Sequence, residues 1–312
     1  MDISNYYKAA SIHKKIRKEL DAYVDENISL IDICSFIETK IKHYSDKTEI
    51  NNGIAFPVGL SLNSIAAHST PFGNTDIYLK KSDVLKIDYG VHVGGCIIDS
   101  AFTWTRDNTY RPLLDASREA VDTIINHIGV DTMISEIGTL SEEIVYSYEI
   151  EENGVLKPIK PIENLCGHSI LPWKIHGGKL IQNVRNSDST RIEENDVLAI
   201  EVFTSTGNGA TILGAPNTHF MLSDSNRPVS RRSEELLSTI KEKFRTLAFT
   251  QRYIAPHTPI KYYDVCLDEL YRKGYLSRHP PLIETDRQCK TAQFEDTIFV
   301  SENKVINLSG NI

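Results

Sequence analysis

Two aspartates lie in a segment whose pattern predicts a β-hairpin. The segment VLKIDYGVHVGGCIIDSAFTWT carries Asp88 and Asp99, and the Gly94-Gly95 pair at its centre is typical of a two-residue turn. With this turn Gly90 pairs with Asp99, so Asp88 lies diagonally across from Asp99 on the same face of the hairpin. The two carboxylates are therefore predicted to belong to one site.

Two carboxylates this close repel each other, which raises their pKa values unless a cation lies between them. The hairpin thus indicates a site for a divalent metal ion, because carboxylate oxygens are ordinary ligands of such ions. The alternative is a solvated polar face, since Lys86, Asp88 and Gly90 alternate with apolar residues along the strand. The hairpin alone leaves both interpretations open.

Further candidate ligands come later in the chain. His168 and His176 stand in the segment GHSILPWKIHGGK at a spacing that is not helical, and either could be a structural histidine. Glu201 interrupts the apolar run VLAIEVF, and Glu295 lies in TAQFEDTIFV directly before another apolar run. A carboxylate in such a strand needs a partner, although strand alternation could also turn each one outward.

Taken together, these side chains form a set suited to metal catalysis: Asp88, Asp99, His168, Glu201 and Glu295. Oxygen ligands with one imidazole suit Mn, Fe, Co or Zn. Four carboxylates are too many for one ion, whereas two divalent ions roughly 3.5 to 4 Å apart would balance them and activate a bridging water as nucleophile. A glutamate could then carry a proton to the leaving amine, and other histidines could stabilise the oxyanion. The set favours a dinuclear hydrolase.

The elements that must position these residues begin with helices. Periodic apolar residues and candidate caps predict four of them: one through Ile12, Ile16 and Leu20, one from a Ser29 cap to Ile41, one capped by Asp115, and one near 140–150. Strands are predicted at 197–203 and 294–300, the second continuing through a turn into 305–308. Two cycles of helices followed by hairpins predict a duplicated α+β architecture.

Between about 222 and 281 the pattern becomes helical. Apolar spacing predicts helices over 233–249 and 263–273, with Gly274 ending the second. This segment also carries a local excess of positive charge, since residues 227–279 contain eleven Lys or Arg against six Asp or Glu. Solvated helix faces are the simpler explanation of that excess, and a docking patch for an anionic partner such as ribosomal RNA is the alternative.

Composition limits the class of protein. The chain has 312 residues, a net charge of -8 and 40% hydrophobic residues, which is ordinary globular make-up and argues against nonspecific nucleic-acid binding by the whole molecule. The N-terminal segment has no signal-peptide hydrophobic region and no apolar run is long enough to span a membrane, so we expect a cytoplasmic protein without membrane contact. Five cysteines without metal-binding or paired spacing predict neither disulfides nor structural zinc.

The passages that carry these residues closely resemble the type 2 methionine aminopeptidases. They are SLNSIAAHSTP, VLKIDYGVHVGGCIIDSAFT, NLCGHSILPWKIHGGK, VLAIEVFTSTGNG and TAQFEDTIFV, in the family's order and spacing, and the resemblance spans essentially the whole chain. It implies the pita-bread fold, an α+β structure with pseudo-twofold symmetry. It also implies a catalytic domain formed by 1–221 and 282–312, with an inserted helical subdomain at 222–281.

The resemblance also implies a role for each ligand. Asp88 would bind one of two divalent ions, Asp99 and Glu295 would bridge both, and His168 and Glu201 would complete the second ion. Glu201 would in addition be the proton shuttle. The sequence does not determine whether the working metal is Mn, Co, Fe or Zn.

A substrate pocket is implied in the same way. His68 in IAAHSTP resembles the family histidine that faces the scissile bond and that fumagillin-type epoxides alkylate, and His176 resembles the histidine that contacts the scissile amide. Phe56, Ile175 and His219 stand where the family lines its methionine pocket. For Phe56 and Ile175, an ordinary core position is the alternative.

Two features depart from the better-known members of the family. The chain begins at the catalytic domain without the long charged extension of eukaryotic members, so we expect a compact form. His279 precedes Pro280-Pro281 where relatives commonly carry a tyrosine at the pocket rim, which puts fine substrate preference and inhibitor fit in question.

The resemblance therefore implies removal of the initiator methionine from nascent polypeptides with a small second residue. We expect a monomer because nothing in the sequence marks an obligate interface, and contact of 227–279 with the ribosome is a hypothesis from charge alone. One alternative is a prolidase or aminopeptidase P-like hydrolase, which shares the fold and the ligands. The other is a noncatalytic ribosome- or RNA-binding homologue on the same fold.

Overall fold

A computed structural model describes residues 3–45, 51–72, 76–152 and 154–310 of the chain. The α-helices are α1 Ser4–Tyr23, α2 Leu30–Tyr44, α3 Arg111–His127, α4 Ile134–Tyr146, α5 Arg231–Phe244, α6 Gln251–Ile254 and α7 Tyr263–Arg272. The strands are β1 Asn52–Ile54, β2 Gly59–Leu62, β3 Ile65–Ala67, β4 Val84–Val93, β5 Cys96–Thr105, β6 Glu149–Glu152, β7 Val155–Pro158, β8 Lys160–Pro161, β9 Cys166–Ser169, β10 Leu180–Gln182, β11 Val197–Ser205, β12 Thr211–Leu213, β13 His219–Leu222, β14 Leu276–His279, β15 Leu282–Glu284, β16 Thr291–Ser301 and β17 Lys304–Asn307.

The β4–β5 hairpin organises the first half of the molecule. Gly94 and Gly95 adopt φ values of +59° and +83°, which glycine reaches at little cost and which a tight turn between twisted strands requires. The predicted register is confirmed, because Gly90 pairs with Asp99. Strand β4 also pairs with β1 and β2, and α1 packs across both arms of the hairpin with Ile16 and Leu20 fully buried.

The antiparallel pair β11 and β16 organises the second half. Its register places Glu201 directly opposite Glu295, and α3 packs against both strands. The predicted strands are confirmed, and β16 continues through a turn into β17 as expected. Strands β9 and β10 extend the same sheet on the other side of β11.

The two halves meet where β5 lies beside β16. Ser100 donates a hydrogen bond from its hydroxyl to the Glu295 carbonyl at 2.7 Å, and Thr103 does the same to the Gln293 carbonyl at 2.8 Å. The Asp99 amide donates to the Thr297 hydroxyl at 2.8 Å. Side-chain hydroxyls therefore bridge the two sheets at the level of the candidate ligands.

The element order repeats in space as well as in sequence. Helix α1 packs on β4 and β5 with α2 beside it over one hydrophobic cluster, and α3 packs on β11 and β16 with α4 beside it over another. This repetition confirms the predicted duplicated α+β architecture. The four candidate carboxylates lie on the strands against which α1 and α3 pack.

Some local predictions need correction. Ser29 caps α2 as predicted, but Asp115 does not cap α3, because that helix already begins at Arg111 with a proline in its first turn. Helix α4 ends at Tyr146, since residues 149–152 form strand β6 instead. Helix α5 ends at Phe244 rather than near 249, because the next residue has a φ of +52°.

The alternative of a solvated polar face for the hairpin is wrong. Lys86 is 1% exposed and donates hydrogen bonds from its ammonium group to two backbone carbonyls, and Asp99 is 5% exposed. The hairpin is covered on both faces, so its polar side chains need internal partners.

The helical segment predicted as an insertion at 222–281, called the inserted lobe below, has a hydrophobic cluster of its own. Leu236, Leu237 and Ile240 of α5 pack with Leu267 and Leu270 of α7, and strands β13 and β14 pair beside them. The cluster includes Phe220, so it reaches just beyond the predicted 222–281 boundary. The domain limits remain a prediction.

Among the described residues, no helix has the length and apolar content needed to cross a bilayer.

Candidate metal centre

One cavity of about 390 Å³ collects all ten residues singled out from the sequence. They are Phe56, His68, Asp88, Asp99, His168, Ile175, His176, Glu201, His219 and Glu295. His279 also lines this cavity. These positions are far apart in sequence, so their convergence results from the fold.

Four carboxylates form the base of the cavity, and we call Asp88, Asp99, Glu201 and Glu295 the carboxylate floor. Two come from the β4–β5 hairpin and two from the β11–β16 pair, so each half of the fold contributes a pair. Glu295 is 2% exposed, and Asp99 is nearly as deeply buried. Long paired strands thus fix where each carboxylate stands.

His168 extends the floor from strand β9. Its Nε2 atom lies 3.6 Å from Asp99 Oδ2 and 3.8 Å from Glu201 Oε1. Candidate ligand atoms of Asp99, His168 and Glu295 all lie within 4.8 Å of one another. Gly167 allows this approach, because a Cβ at that position would stand 2.4 Å from the Ala199 carbonyl of β11.

The floor also contains buried oxygens without a hydrogen-bond partner. Asp88 Oδ1 and Glu295 Oε1 have none, although Glu201 and Glu295 each accept a hydrogen bond from Gln293 Nε2, at 3.1 and 3.4 Å. Unpartnered buried carboxylate oxygens are costly unless a cation is bound. The donor set and its geometry therefore fit divalent metal ions.

Burial opposes charge on every member of this group. It raises the pKa of Asp88 to about 7, and burial together with repulsion from Asp88 and Glu201 raises the pKa of Asp99 well above its usual value. Burial and neighbouring carboxylates likewise raise the pKa values of Glu201 and Glu295. Burial lowers the pKa of His168 to about 3, which leaves its imidazole neutral and able to bind a metal.

Four imidazoles stand around the opening, and we call His68, His176, His219 and His279 the histidine rim. The ring centroid of His68 lies 5.8 Å from that of His219 and 6.2 Å from that of His279. His279 lies 6.4 Å from His176, whose ring contacts that of His168 edge to face at 4.6 Å. Burial, with His279 and His176 nearby, lowers the pKa of His68 to about 4.

The rim depends on irregular segments and on the inserted lobe. His68 follows β3 with a φ of +59°, a left-handed conformation that is unfavourable for a residue with a side chain. His219 and His279 are cross-strand partners on β13 and β14, so one hairpin-like pair supplies both.

Apolar residues complete the wall. Ile175 is 7% exposed and belongs to the first hydrophobic cluster, and the ring of Phe56 lies against Gly90 so closely that a Cβ there would stand 2.2 Å from it. Ile175 is therefore a core position, Phe56 packs against the core while partly buried, and both line the cavity. Their role in a methionine pocket stays a prediction.

The sequence analysis did not single out Gln293. It lies two residues before Glu295 on β16, so strand alternation places both side chains on one face. The position of an amide two residues before a candidate ligand is the signal that could have identified it.

Comparison with known proteins identifies relatives over nearly the whole chain. The model of metallopeptidase family M24 matches residues 4–302. Methionine aminopeptidase 2 of Komagataella phaffii is 39% identical over 307 residues, which cover 96% of this chain and 68% of that protein. The resemblance found from motifs is thus confirmed by overall similarity.

Solved structures share the architecture. A thermophilic Arx1 matches with a TM-score of 0.81 at 18% identity, over 99% of this chain and 90% of that one. A methionine aminopeptidase from Thermotoga maritima matches with a TM-score of 0.67 at 16% identity, over 99% and 97%. Identities this low carry information about fold alone, and they confirm the predicted pita-bread fold.

Proposed function

The chain belongs to metallopeptidase family M24, and from this premise we propose that it is a methionine aminopeptidase that removes N-terminal methionine with the help of divalent metal ions. The observation that carries the proposal is the buried carboxylate floor with two unpartnered oxygens beside a neutral His168. The prolidase-like and noncatalytic alternatives have less support, because the extended sequence similarity is to methionine aminopeptidase 2.

The proposed metal centre would hold two ions. Asp88 would help to hold one ion, His168 and Glu201 the other, and Asp99 and Glu295 would contribute ligands to both. When bound, such ions polarise the scissile carbonyl and supply a nucleophilic water at neutral pH. Hard oxygen ligands with one imidazole are compatible with Mn, Co, Fe or Zn.

Glu201 is the proposed proton carrier. Its Oε2 atom accepts a hydrogen bond from Gln293 at 3.1 Å, which orients the carboxylate toward the cavity. A carboxylate whose pKa is raised by burial can accept a proton from water and return it to the leaving amine. Gln293 thereby acts as a positioning residue.

His68 and His176 are proposed to hold the reacting amide. The lowered pKa keeps His68 neutral at physiological pH, so its ring can donate one N–H to the carbonyl oxygen without carrying a charge. Phe56, Ile175 and His219 form the proposed methionine pocket, where apolar walls fit an unbranched thioether. A small space beyond the scissile bond would favour a small second residue.

The proposed substrates are the N-termini of nascent polypeptides. Contact with the ribosome through 227–279 remains a prediction from charge, and several cations there already have partners: Arg231 pairs with Glu235, and Arg272 and Arg278 both pair with Asp268. The monomeric state is likewise a prediction.

Methionine release from Met-Gly and Met-Leu peptides by metal-stripped protein tests the proposal. We expect activity on Met-Gly to appear when Mn or Co is added and to be at least about tenfold weaker on Met-Leu, because a pocket rejects bulk it cannot accommodate. Asp99→Asn should remain inactive with either metal.

Failure to cleave Met-Gly with Mn, Co, Fe or Zn would refute the aminopeptidase assignment. Cleavage of Xaa-Pro peptides in its place would favour the prolidase-like reading. Binding to ribosomes that is unaffected by chelator would favour the noncatalytic one.

A further inference from the structure

Arg252, on the short helix α6 of the inserted lobe, joins three segments that are distant in sequence. Its Nη1 atom donates hydrogen bonds to the Thr70 hydroxyl at 3.1 Å and to the Pro71 carbonyl at 2.7 Å. Its Nη2 atom forms an ion pair with Glu38 of α2. One planar guanidinium therefore binds the lobe to an N-terminal helix and to the segment that follows β3.

The other contacts around this guanidinium are also satisfied. Tyr253 donates from its hydroxyl to Glu38 at 2.8 Å, and Cys34 lies with its sulfur 3.0 Å from Arg252 Nη2. Thr70 is 5% exposed. Because charged hydrogen bonds in a partly dry setting are stronger and more directional than exposed ones, this cluster fixes the local geometry.

The segment that Arg252 binds is the one that presents His68. Thr70 and Pro71 are the second and third residues after His68, and the φ of +59° at His68 is a conformation that a residue with a side chain does not favour by itself. Such a conformation persists only when surrounding contacts impose it.

The other hydrogen bonds of this segment are uncharged. The Thr218 hydroxyl donates to the His68 carbonyl at 3.4 Å, and the Ser69 amide donates to the Ser61 hydroxyl at the same distance. The Ser69 carbonyl accepts from the Leu60 amide at 2.6 Å. Arg252 is thus the charged anchor of a segment whose strained residue projects into the cavity.

We propose that Arg252 is a positioning residue: by binding Thr70 and Pro71 against Glu38, it imposes the backbone conformation that directs the His68 imidazole into the cavity. The inserted lobe thereby controls the geometry of the site from outside it. The proposal rests on the proposed function for its kinetic consequences, but the orientation of His68 can be measured without turnover.

The test compares Arg252→Met with the wild type in the full chain loaded with Mn. We expect kcat on a Met-Gly peptide to fall roughly 10- to 100-fold, because a displacement near 1 Å of a group at the reacting centre has effects of that size. The KM should change by less than about threefold, since the methionine pocket and the metals are untouched. Metal content should equal that of the wild type.

A second readout follows His68 directly. The rate at which a fumagillin-type epoxide alkylates His68, measured by intact mass, should fall with kcat in Arg252→Met. Guanidinium at low millimolar concentration should restore part of both rates. Arg252→Lys should not restore them fully, because an ammonium cannot donate in a planar fork to Thr70, Pro71 and Glu38 together.

Arg278→Met is the matched control. Arg278 lies in the same lobe, its side chain is 30% exposed like that of Arg252, and it pairs with Asp268 and stacks on Tyr271 without contacting the segment after His68. We expect its kcat and alkylation rate to stay within about twofold of the wild type.

Unchanged kcat and alkylation in Arg252→Met, or equal losses in Arg278→Met, would overturn the proposal. If Arg252→Met does not fold, Thr70→Val removes one of the same hydrogen bonds with nearly the same volume, and it should slow alkylation in the same direction. A wild type that cleaves no methionyl peptide refutes the proposed function instead, while the alkylation rates still decide the role of Arg252.

Discussion

The floor and the rim of the cavity are built by opposite means. The carboxylate floor lies on long strands that pair in the centre of the fold, whereas His68 of the rim lies outside any strand in a left-handed conformation and His219 and His279 lie on the short strand pair β13 and β14. Groups on rigid strands are held more accurately than groups on loops. We expect the floor to hold the metal ions, and the rim to orient the reacting amide and to determine which substrates fit.

Replacement of a floor carboxylate should have the largest effect. Glu295→Gln removes a charge whose Oε1 has no protein partner, so we expect metal-dependent cleavage of Met-Gly to fall by about a thousandfold or more. Metal content measured by mass spectrometry of the dialysed protein should fall with it.

Asp296→Asn is the control one residue away. Asp296 is 4% exposed, but it points to the opposite side of β16 and accepts hydrogen bonds from Arg118, Asn307 and Ser309. Its replacement should lower the free energy of unfolding by about 1 to 3 kcal/mol and leave metal content unchanged. Equal losses of metal in both variants would show that the two sides of the strand are not distinct in function.

The two strand pairs that carry the floor carboxylates show how much of the site can be predicted from sequence. The hairpin register around Asp99 is local, because a two-residue glycine turn determines it, and it was predicted correctly. The pairing of Glu201 with Glu295 joins strands separated by the entire inserted lobe, so nothing in the local pattern fixes its register. There the ligand set followed from resemblance and from charge balance rather than from geometry.

The rim was even less predictable from pattern. We propose that Arg252 of α6 and Glu38 of α2 impose the left-handed φ of His68, and no periodicity or turn signal reveals such contacts. The start of α3 has a simpler cause, because a proline in the first turn favours a helix that begins before Asp115. The sequence therefore predicts the elements whose determinants are local, but it does not predict side-chain positions that depend on tertiary contacts.

The pH dependence of stability should separate floor and rim. A carboxyl whose folded-state pKa is raised, such as Asp88 at about 7, contributes stability below its unfolded value near 4 and loses it as the pH rises through 7. A histidine whose folded-state pKa is lowered, such as His68 at about 4, destabilises the fold only as the pH falls below about 6.5. Of these two groups, only the floor carboxyl still changes its protonation between about pH 6.5 and pH 7.

Metal-stripped protein should therefore lose several degrees of Tm relative to Mn-loaded protein between about pH 5 and pH 8, because bound ions favour the ionised carboxylates and remove that loss. The difference in Tm between loaded and stripped protein, measured by calorimetry, should increase with pH. Glu295→Gln should reduce the slope. A difference in Tm that is constant from pH 5.5 to 9, in buffers about 0.5 unit apart, would mean that burial does not raise the pKa values of the floor carboxyls.

The smallest effect is expected at the rim. His279→Phe keeps a ring of similar size on β14 opposite His219 but removes the nitrogen that lies 3.0 Å from the Ser277 hydroxyl. Because His279 contacts the cavity and not the carboxylate floor, metal content and kcat should change by less than about threefold. The ratio of kcat/KM for Met-Gly over Met-Val should shift by up to about tenfold, since one altered contact in a pocket has effects of that order.

His127→Phe, at an exposed helix end, is the control and should leave the ratio unchanged. If His279→Phe instead lowered metal content as Glu295→Gln does, rim and floor would act as one unit, and selectivity could not be altered without altering the chemistry.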